Sequence, residues 1–195
     1  MIKPNRAYRA AAGFAPDTEN GKSLILRGTP VVFDTPTCLF ESGGVKYYEQ
    51  IARGAFDQCD FSDFIFNYNH SGRVFARNRN GSLEYAIANN TMGITAHLLP
   101  DDEGHRQLYR DIESGLIDKM SFSFTVEEES YNKDTHTSTV LKIKRLYDVS
   151  AVDIPAYNET SISARGFFEG EHQKELDALE QARRRKLLIA RTHLL

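Results

Sequence analysis

The stretch Met120-Ser121-Phe122-Ser123-Phe124-Thr125-Val126 alternates between apolar and hydroxyl-bearing side chains without a break after Met120. Successive side chains of a β-strand point to opposite faces, so this period of two predicts a strand. The phenylalanines and Val126 are expected to face a core. The hydroxyls of Ser121, Ser123 and Thr125 are expected to form a row on the solvent face.

Short apolar or alternating runs of this kind recur along the chain, separated by Gly, Asn, Asp and Pro, and each is typical of a strand. They lie at residues 24–26, 31–33, 45–51, 64–68, 83–87, 94–99, 122–126 and 140–147. So many short strands in one domain favour a barrel or a sandwich. The fold class predicted is mainly β with helices (α+β).

One helix is predicted between these strands. Asp101 and Asp102 can cap its first turn, and Leu108, Ile112 and Leu116 form an apolar stripe. Gly115 lies where a helix commonly stops. A shorter helical turn is predicted at residues 55–59.

The two ends of the chain differ from its middle. Residues 1–20 show no sustained apolar period and are predicted to be a flexible N-terminal arm, whereas residues 21–166 form the β domain. Residues 167–195 are predicted to be a charged helical tail, acidic in its first half and basic in its second, an order that suits the helix dipole. Its apolar stripe is only approximate and consists of Leu176, Leu179, Ala182 and Leu187.

Composition predicts a soluble, packed protein. The 195 residues are 41% hydrophobic and 26% charged, with a net charge of -3 that provides no general attraction for nucleic acid. No apolar stretch approaches the roughly 18 residues that cross a bilayer, and residues 1–20 lack a secretory apolar core, so membrane insertion and secretion are disfavoured. Cys38 and Cys59 are expected to be free thiols in a reducing compartment, with no nucleophilic role.

Several polar residues are candidates for chemistry. His70 ends a strand-like run and precedes Ser71-Gly72, a common place for a functional side chain. Asp148 follows another strand and could orient a histidine, as could three other acids, Asp153, Glu84 and Asp111. A nucleophilic serine needs a base within hydrogen-bond reach, which spacing alone does not establish. The six histidines and two cysteines form no HExxH, HxH or Cys/His cluster, so a metal site is not predicted, and the absence of GxSxG excludes an α/β-hydrolase.

Five segments together, in this order, resemble the prohead protease family of tailed phages, the capsid-maturation serine proteases, over residues 24–165. This family is similar in fold and capsid role to the herpesvirus maturation protease. The segments are RGTPVVFD (27–34), EQIARGAF (49–56), NYNH (67–70), LIDKMSFSF (116–124) and DVSAVDIPAY (148–157).

The resemblance implies a serine endopeptidase with Ser121 as nucleophile, His70 as general base and Asp148 as the third member of the triad. Ser123 is then the non-catalytic serine, and Asp148 stands where members often carry Glu. A closed or nearly closed antiparallel β-barrel surrounded by a few helices is implied, with no cofactor and no metal. Backbone N–H groups or Arg165 could stabilise the oxyanion, and the sequence does not choose between them.

The family role implies a location inside the procapsid, in the host bacterial cytoplasm. The expected partners are the major capsid protein, through its scaffolding segment, and the protease itself, through autocleavage. The related viral proteases act as dimers, so a homodimer is considered, although the sequence does not determine the oligomeric state. Membrane and specific nucleic-acid partners are not expected.

Two other functions compete with proteolysis. The same barrel could be catalytically inactive and act as a capsid scaffold or assembly module through its C-terminal helix. It could instead be an oligonucleotide-binding barrel with a basic, stacking surface. That surface would comprise Arg73, Arg77, Arg79, Phe75 and Tyr85.

Overall fold

The structure is a computed structural model that describes residues 6–11, 14–17, 23–153, 173–174 and 176–186. The chain divides into two compact units, residues 1–159 and 160–195. All described strands belong to the first unit, and the second contains a helix. The division at residues 20/21 and 166/167 expected from composition stays a prediction.

The described residues of the first unit form eleven strands and one α-helix, α1 (Glu103–Glu113), with a single 3₁₀ turn at Asn78–Asn80. The strands are β1 (Ala7–Ala11), β2 (Phe14–Asp17), β3 (Leu24–Val32), β4 (Thr37–Ser42), β5 (Val45–Ile51), β6 (Ile65–Tyr68), β7 (Ser71–Arg77), β8 (Leu83–Ala88), β9 (Thr91–Leu98), β10 (Lys119–Asn132) and β11 (Thr137–Val152). The fold is therefore mainly β with helices, as predicted.

These strands form two sheets. The larger has seven strands in the order β1-β10-β11-β5-β4, with β6 paired to β11 and β7 paired to β6, and the smaller has the order β2-β3-β9-β8. No ladder between described residues joins the sheets into a closed barrel. The expected antiparallel arrangement also needs correction, because β11 runs parallel to both β5 and β6.

The core lies where the alternating faces of the strands meet. Phe122 and Phe124 of β10 are 2% and 0% exposed, and their rings stack with centroids 4.9 Å apart. The strand β9 alternates between buried and half-buried residues along its whole length, as a strand with one core face should. The alternation of residues 120–126 therefore correctly predicted that the phenylalanines face the core.

The predicted helix forms as α1, with one difference. Asp102 caps it by accepting a hydrogen bond from the His105 backbone N–H, and Leu108 and Ile112 are buried. Leu116 is not part of the stripe, because the chain leaves the helix at Gly115 in a left-handed conformation (φ 76°), and Leu116 is 75% exposed. Instead of the helical turn predicted at residues 55–59, residues 52–59 form a series of four-residue turns, each closed by a hydrogen bond between residues i and i+3.

Both ends of the chain carry secondary structure. Residues 7–11 and 14–17, within the region expected to be a flexible arm, pair with the edges of β10 and β3. Such pairing depends on backbone partners distant in sequence, which explains why no local period marks it. At the other end, residues 173–174 and 176–186 are helical, and Glu180 and Arg184 form an i,i+4 ion pair at 2.7 Å. Leu187 lies outside the described residues.

Candidate active site

Strand register brings the polar residues of β10, β11 and β6 together. On β10 and β11, Ser121 lies opposite Ser150 and Ser123 lies opposite Asp148. On β11 and β6, Ser150 lies beside Asn67. Residues directly opposite each other share a face, so these five side chains form a polar cluster on the face that the phenylalanines do not occupy.

His70 reaches this cluster from a tight hairpin. Asn69 and His70 form the two-residue connection between β6 and β7, with φ of 50° and 55°. Two consecutive positive φ angles are typical of a type I′ turn, which matches the strand twist and usually takes Asn followed by Gly. A histidine in the second position is strained, and such strain is found mainly at functional sites.

The imidazole of His70 links the nucleophile candidate to the acid candidate. Its Nδ1 lies 2.5 Å from Oδ1 of Asp148, and its Nε2 lies 2.6 Å from Oγ of Ser121. With Nδ1–H donating to the carboxylate, the lone pair of Nε2 faces the serine hydroxyl. The three residues that the sequence singled out are thus in one hydrogen-bonded chain, and the shorter Asp148 reaches the histidine directly.

Comparison with known proteins gives the family. The family model for the caudovirus prohead serine protease matches residues 14–175. The chain belongs to this family. No curated protein and no solved structure matches it.

In this family member the row of hydroxyls on β10 is buried, which corrects the expectation that it faces solvent. Ser121 and Ser123 are both 0% exposed, and Thr125 is half-buried. The strand lies between β1 and β11, and the side chains of His70 and Asp148 occupy the face that alternation alone would leave open. Periodicity indicates which side chains share a face, but not what covers that face.

The two buried serines have different partners. Ser121 contacts His70, whereas Oγ of Ser123 donates a hydrogen bond to Oδ2 of Asp148 at 2.5 Å. Ser150, opposite Ser121 on the neighbouring strand, has its Oγ 2.9 Å from Oδ1 of Asp148 and 3.2 Å from the backbone nitrogen of His70. Ser150 also contacts Asn67. Ser121 therefore contacts the base, whereas Ser123 contacts the carboxylate.

These contacts set the charge state of Asp148. Burial by itself would raise the pKa of this carboxyl, which is 2% exposed. Hydrogen bonds from His70, Ser123 and Ser150, together with the charge of His70, outweigh burial and hold the pKa of Asp148 below its ordinary value. Asp148 is therefore an anion at neutral pH.

The competing acids have partners elsewhere. Asp153 accepts a hydrogen bond from the Tyr68 hydroxyl at 3.3 Å, Asp111 accepts one from Gln107, and Glu84 lies 3.3 Å from His97. Of the four acids considered, Asp148 is thus the one in contact with His70.

Other candidate chemistries find little support in the described part of the chain. Cys38 and Cys59 are free thiols, and burial raises the pKa of Cys59 to about 11, which disfavours its thiolate. No group of three or more His, Cys, Asp or Glu side chains in the described ranges is placed to hold a metal ion. Every helix there is too short or too polar to cross a bilayer. Arg165, the side-chain candidate for the oxyanion, lies outside the described residues.

The arginines of the suggested nucleic-acid surface are paired with carboxylates. Arg73 bonds to Asp102 at 2.5 Å, and Arg77 and Arg79 both contact Asp63. The aromatic residues are engaged too, because Tyr85 stacks on Phe61 at 4.3 Å and Phe75 packs edge-on against His105. Much of the positive charge that would attract a polyanion is therefore neutralised locally.

Sequence reasoning missed four residues of the site. Ser150 and Asn67 could have been found, since Ser150 lies two positions from Asp148 on one strand and Asn67 lies in the segment NYNH (67–70) that ends at His70. Arg6 and Tyr8, which contact Asp148 and His70, carry no signal of their own in the sequence.

Proposed function

We propose that the chain is a serine endopeptidase in which Ser121, His70 and Asp148 act as the catalytic triad. The observation that carries this proposal is the unbroken chain of hydrogen bonds from Ser121 through His70 to Asp148, at 2.6 Å and 2.5 Å. This order of nucleophile, base and carboxylate is the one that serine proteases with a Ser-His-Asp triad use for peptide-bond cleavage. Membership of the prohead serine protease family supports the same conclusion.

The first half of the reaction would be acylation. His70 Nε2 removes the proton of Ser121 as its oxygen attacks the peptide carbonyl carbon. Asp148 holds the imidazole by its Nδ1–H and stabilises the imidazolium that forms. The imidazolium then donates its Nε2 proton to the departing amine, which leaves Ser121 acylated.

Deacylation repeats these proton transfers with water. His70 takes a proton from a water molecule that attacks the acyl carbon, and it returns the proton to Ser121 as the bond to the serine oxygen breaks. The tetrahedral oxyanion in each half requires hydrogen-bond donors, for which backbone N–H groups and Arg165 are the candidates. This chemistry needs no metal ion and no organic cofactor.

Family membership supports a proposal for the biological substrate. We infer that the protease acts inside the procapsid, in the host bacterial cytoplasm, where it cleaves the scaffolding segment of the major capsid protein and its own chain. Homodimer formation, as in the related viral proteases, is a further hypothesis.

The test is intact mass spectrometry after co-expression with the cognate major capsid protein. Defined capsid-protein fragments are expected with the wild-type chain and absent with Ser121→Ala and His70→Ala. Matched controls are Ser130→Ala, at an exposed position on the same strand, and His97→Asn on β9; both should cleave normally.

Two results would contradict the proposal. Fragments that persist with Ser121→Ala would mean that another residue is the nucleophile. Assembled shells with no cleavage by any variant, the wild type included, would instead favour an inactive barrel that acts as an assembly module.

A further inference from the structure

We propose that Arg6 is a positioning residue of this protease, which acts on the reaction through Asp148. The inference rests on the proposed triad and extends it to the N-terminal segment. Arg6 Nη2 donates a hydrogen bond to Oδ2 of Asp148 at 2.9 Å, and its side chain is 22% exposed. A guanidinium in this place meets the carboxylate on the oxygen that His70 does not use.

A β-bulge in β11 forms the position that this arginine occupies. The register between β10 and β11 shifts after Ser123, so that Ser123 pairs with Asp148 while Phe124 pairs with Leu146. Tyr147 is the extra residue, and the guanidinium carbon of Arg6 lies 4.0 Å from the centre of its ring. Bulges of this kind re-aim side chains next to active sites. Two consecutive residues of β11 thus hold Arg6, one by its carboxylate and the other by its aromatic face.

The pairing of strand β1 with β10 places Arg6 beside this bulge. Ala7 pairs with Phe124, which places the preceding residue beside the bulge. On the opposite side of the strand, Arg9 forms a buried ion pair with Glu49, and both side chains are under 10% exposed. Such a pair is costly to break, because separation leaves a buried charge alone. The pairing and the ion pair therefore anchor the segment that carries Arg6.

A second residue of β1, Tyr8, contacts the catalytic histidine candidate. Its ring meets the imidazole of His70 edge-on, with centroids 4.6 Å apart. The groups that face His70 are therefore Asp148, Ser121, Ser150 and Tyr8.

Four groups face Asp148, and two of them, His70 and Arg6, have basic side chains. The other two are the hydroxyls of Ser123 and Ser150. Arg6 is the permanent cation in this set.

A permanent cation on Asp148 has two effects. It adds a charge-assisted hydrogen bond that holds the carboxylate in the orientation His70 needs. It also offsets part of the carboxylate's attraction for a positively charged imidazole. Loss of Arg6 should therefore reduce the reaction rate and move the acidic limb of its pH profile upward.

The test is the rate at which a fluorophosphonate probe labels the purified full chain, measured from pH 5 to pH 9. This reagent reports on an activated serine and requires no knowledge of the cleavage sequence. Arg6→Ala is expected to label about tenfold more slowly at the plateau, with the half-maximal pH moved upward. Arg6→Lys should recover part of the rate and keep the profile near that of the wild type. Arg79→Ala, an exposed arginine, should match the wild type throughout.

Each contrary result has a distinct meaning. Wild-type rate and profile in Arg6→Ala would overturn the role of Arg6. A slower Arg6→Ala with an unmoved profile, and no recovery in Arg6→Lys, would reduce that role to holding β1 in place. If Ser121→Ala labels as fast as the wild type, the proposed triad itself is wrong, which is a separate failure.

Discussion

The two faces of the β10–β11 pair are equally buried and opposite in character. One face carries Phe122, Phe124 and Leu146, each at most 2% exposed, and the other carries Ser121 and Asp148, at 0% and 2%. Burial of a polar group costs free energy unless its hydrogen bonds are made. The apolar face therefore stabilises the fold directly, whereas the polar face is tolerated only because its members bond to one another.

This difference separates residues that hold the fold from residues available for chemistry. A change on the apolar face should lower stability, and a change on the polar face should lower activity far more than stability. Substitutions at four positions test this difference.

The largest effect is expected for Asp148→Asn. The amide cannot hold the imidazole with Nδ1 protonated and Nε2 free, so the cleavage rate should fall by about 10⁴-fold while the chain stays folded. The rate of fragment formation from the cognate capsid protein measures the loss. Asp118→Asn, an exposed carboxylate bonded to Lys119, is the matched control and should cleave at the wild-type rate. Loss of less than tenfold would remove Asp148 from the triad.

The same variant tests the charge of Asp148 through acid stability. Because its pKa in the folded chain lies below its ordinary value of 3.8, the carboxylate stabilises the fold above that value. The stabilisation should disappear as the pH falls through the lower, folded-state pKa. Urea unfolding at pH 7 and at pH 3 should therefore show a smaller loss of stability in Asp148→Asn than in the wild type. An equal loss would mean that the pKa of Asp148 is not lowered.

On the apolar face, Phe124→Ala should lower the free energy of unfolding by about 3–5 kcal/mol, because it leaves a cavity beside Phe122 in a fully buried site. Denaturant unfolding monitored by circular dichroism gives the value. Ile87→Ala, at a position 44% exposed, should cost much less. If Phe124→Ala were as stable as Ile87→Ala, the apolar face would not be part of the core.

Ser123→Ala lies on the polar face but away from the nucleophile. It removes the 2.5 Å hydrogen bond to Oδ2 of Asp148, so the cleavage rate should fall about tenfold rather than vanish. Ser130→Ala, on the exposed part of β10, is the control. A complete loss of cleavage would contradict the expected tenfold effect, and a normal rate would show that the bond of Ser123 to Asp148 has no catalytic importance.

The smallest effect concerns the turn that carries the base. His70→Gly and His70→Ala both remove the imidazole and should both be inactive, but glycine accepts a φ of 55° without strain. His70→Gly should therefore be more stable than His70→Ala by about 1 kcal/mol, measured by denaturant unfolding. Equal stability would mean that the left-handed conformation of the turn is not costly.

The sequence predicted much of this site because the relevant signals are local. Alternation over residues 120–126 correctly pairs the phenylalanines, and the position of His70 between a strand and a glycine marks it as a candidate. The family resemblance then indicates Ser121 and Asp148. The structure brings all three within hydrogen-bond distance, and their catalytic roles stay a proposal.

The features that the sequence could not predict depend on contacts between distant segments. The bulge at Tyr147 exists only in the register between β10 and β11, and the strand β1 exists only through its pairing with β10. The burial of Ser121 likewise depends on what lies over its face. Since β7 begins directly after the turn, even Ser71-Gly72, which indicates a loop, forms the start of a strand.

The complete burial of Ser121 has a kinetic consequence. A peptide can react only with molecules in which the hydroxyl is uncovered, so the observed kcat/KM is the intrinsic value multiplied by the fraction of open molecules. A partner that binds only molecules with an uncovered hydroxyl would raise the observed rate without altering any residue of the site.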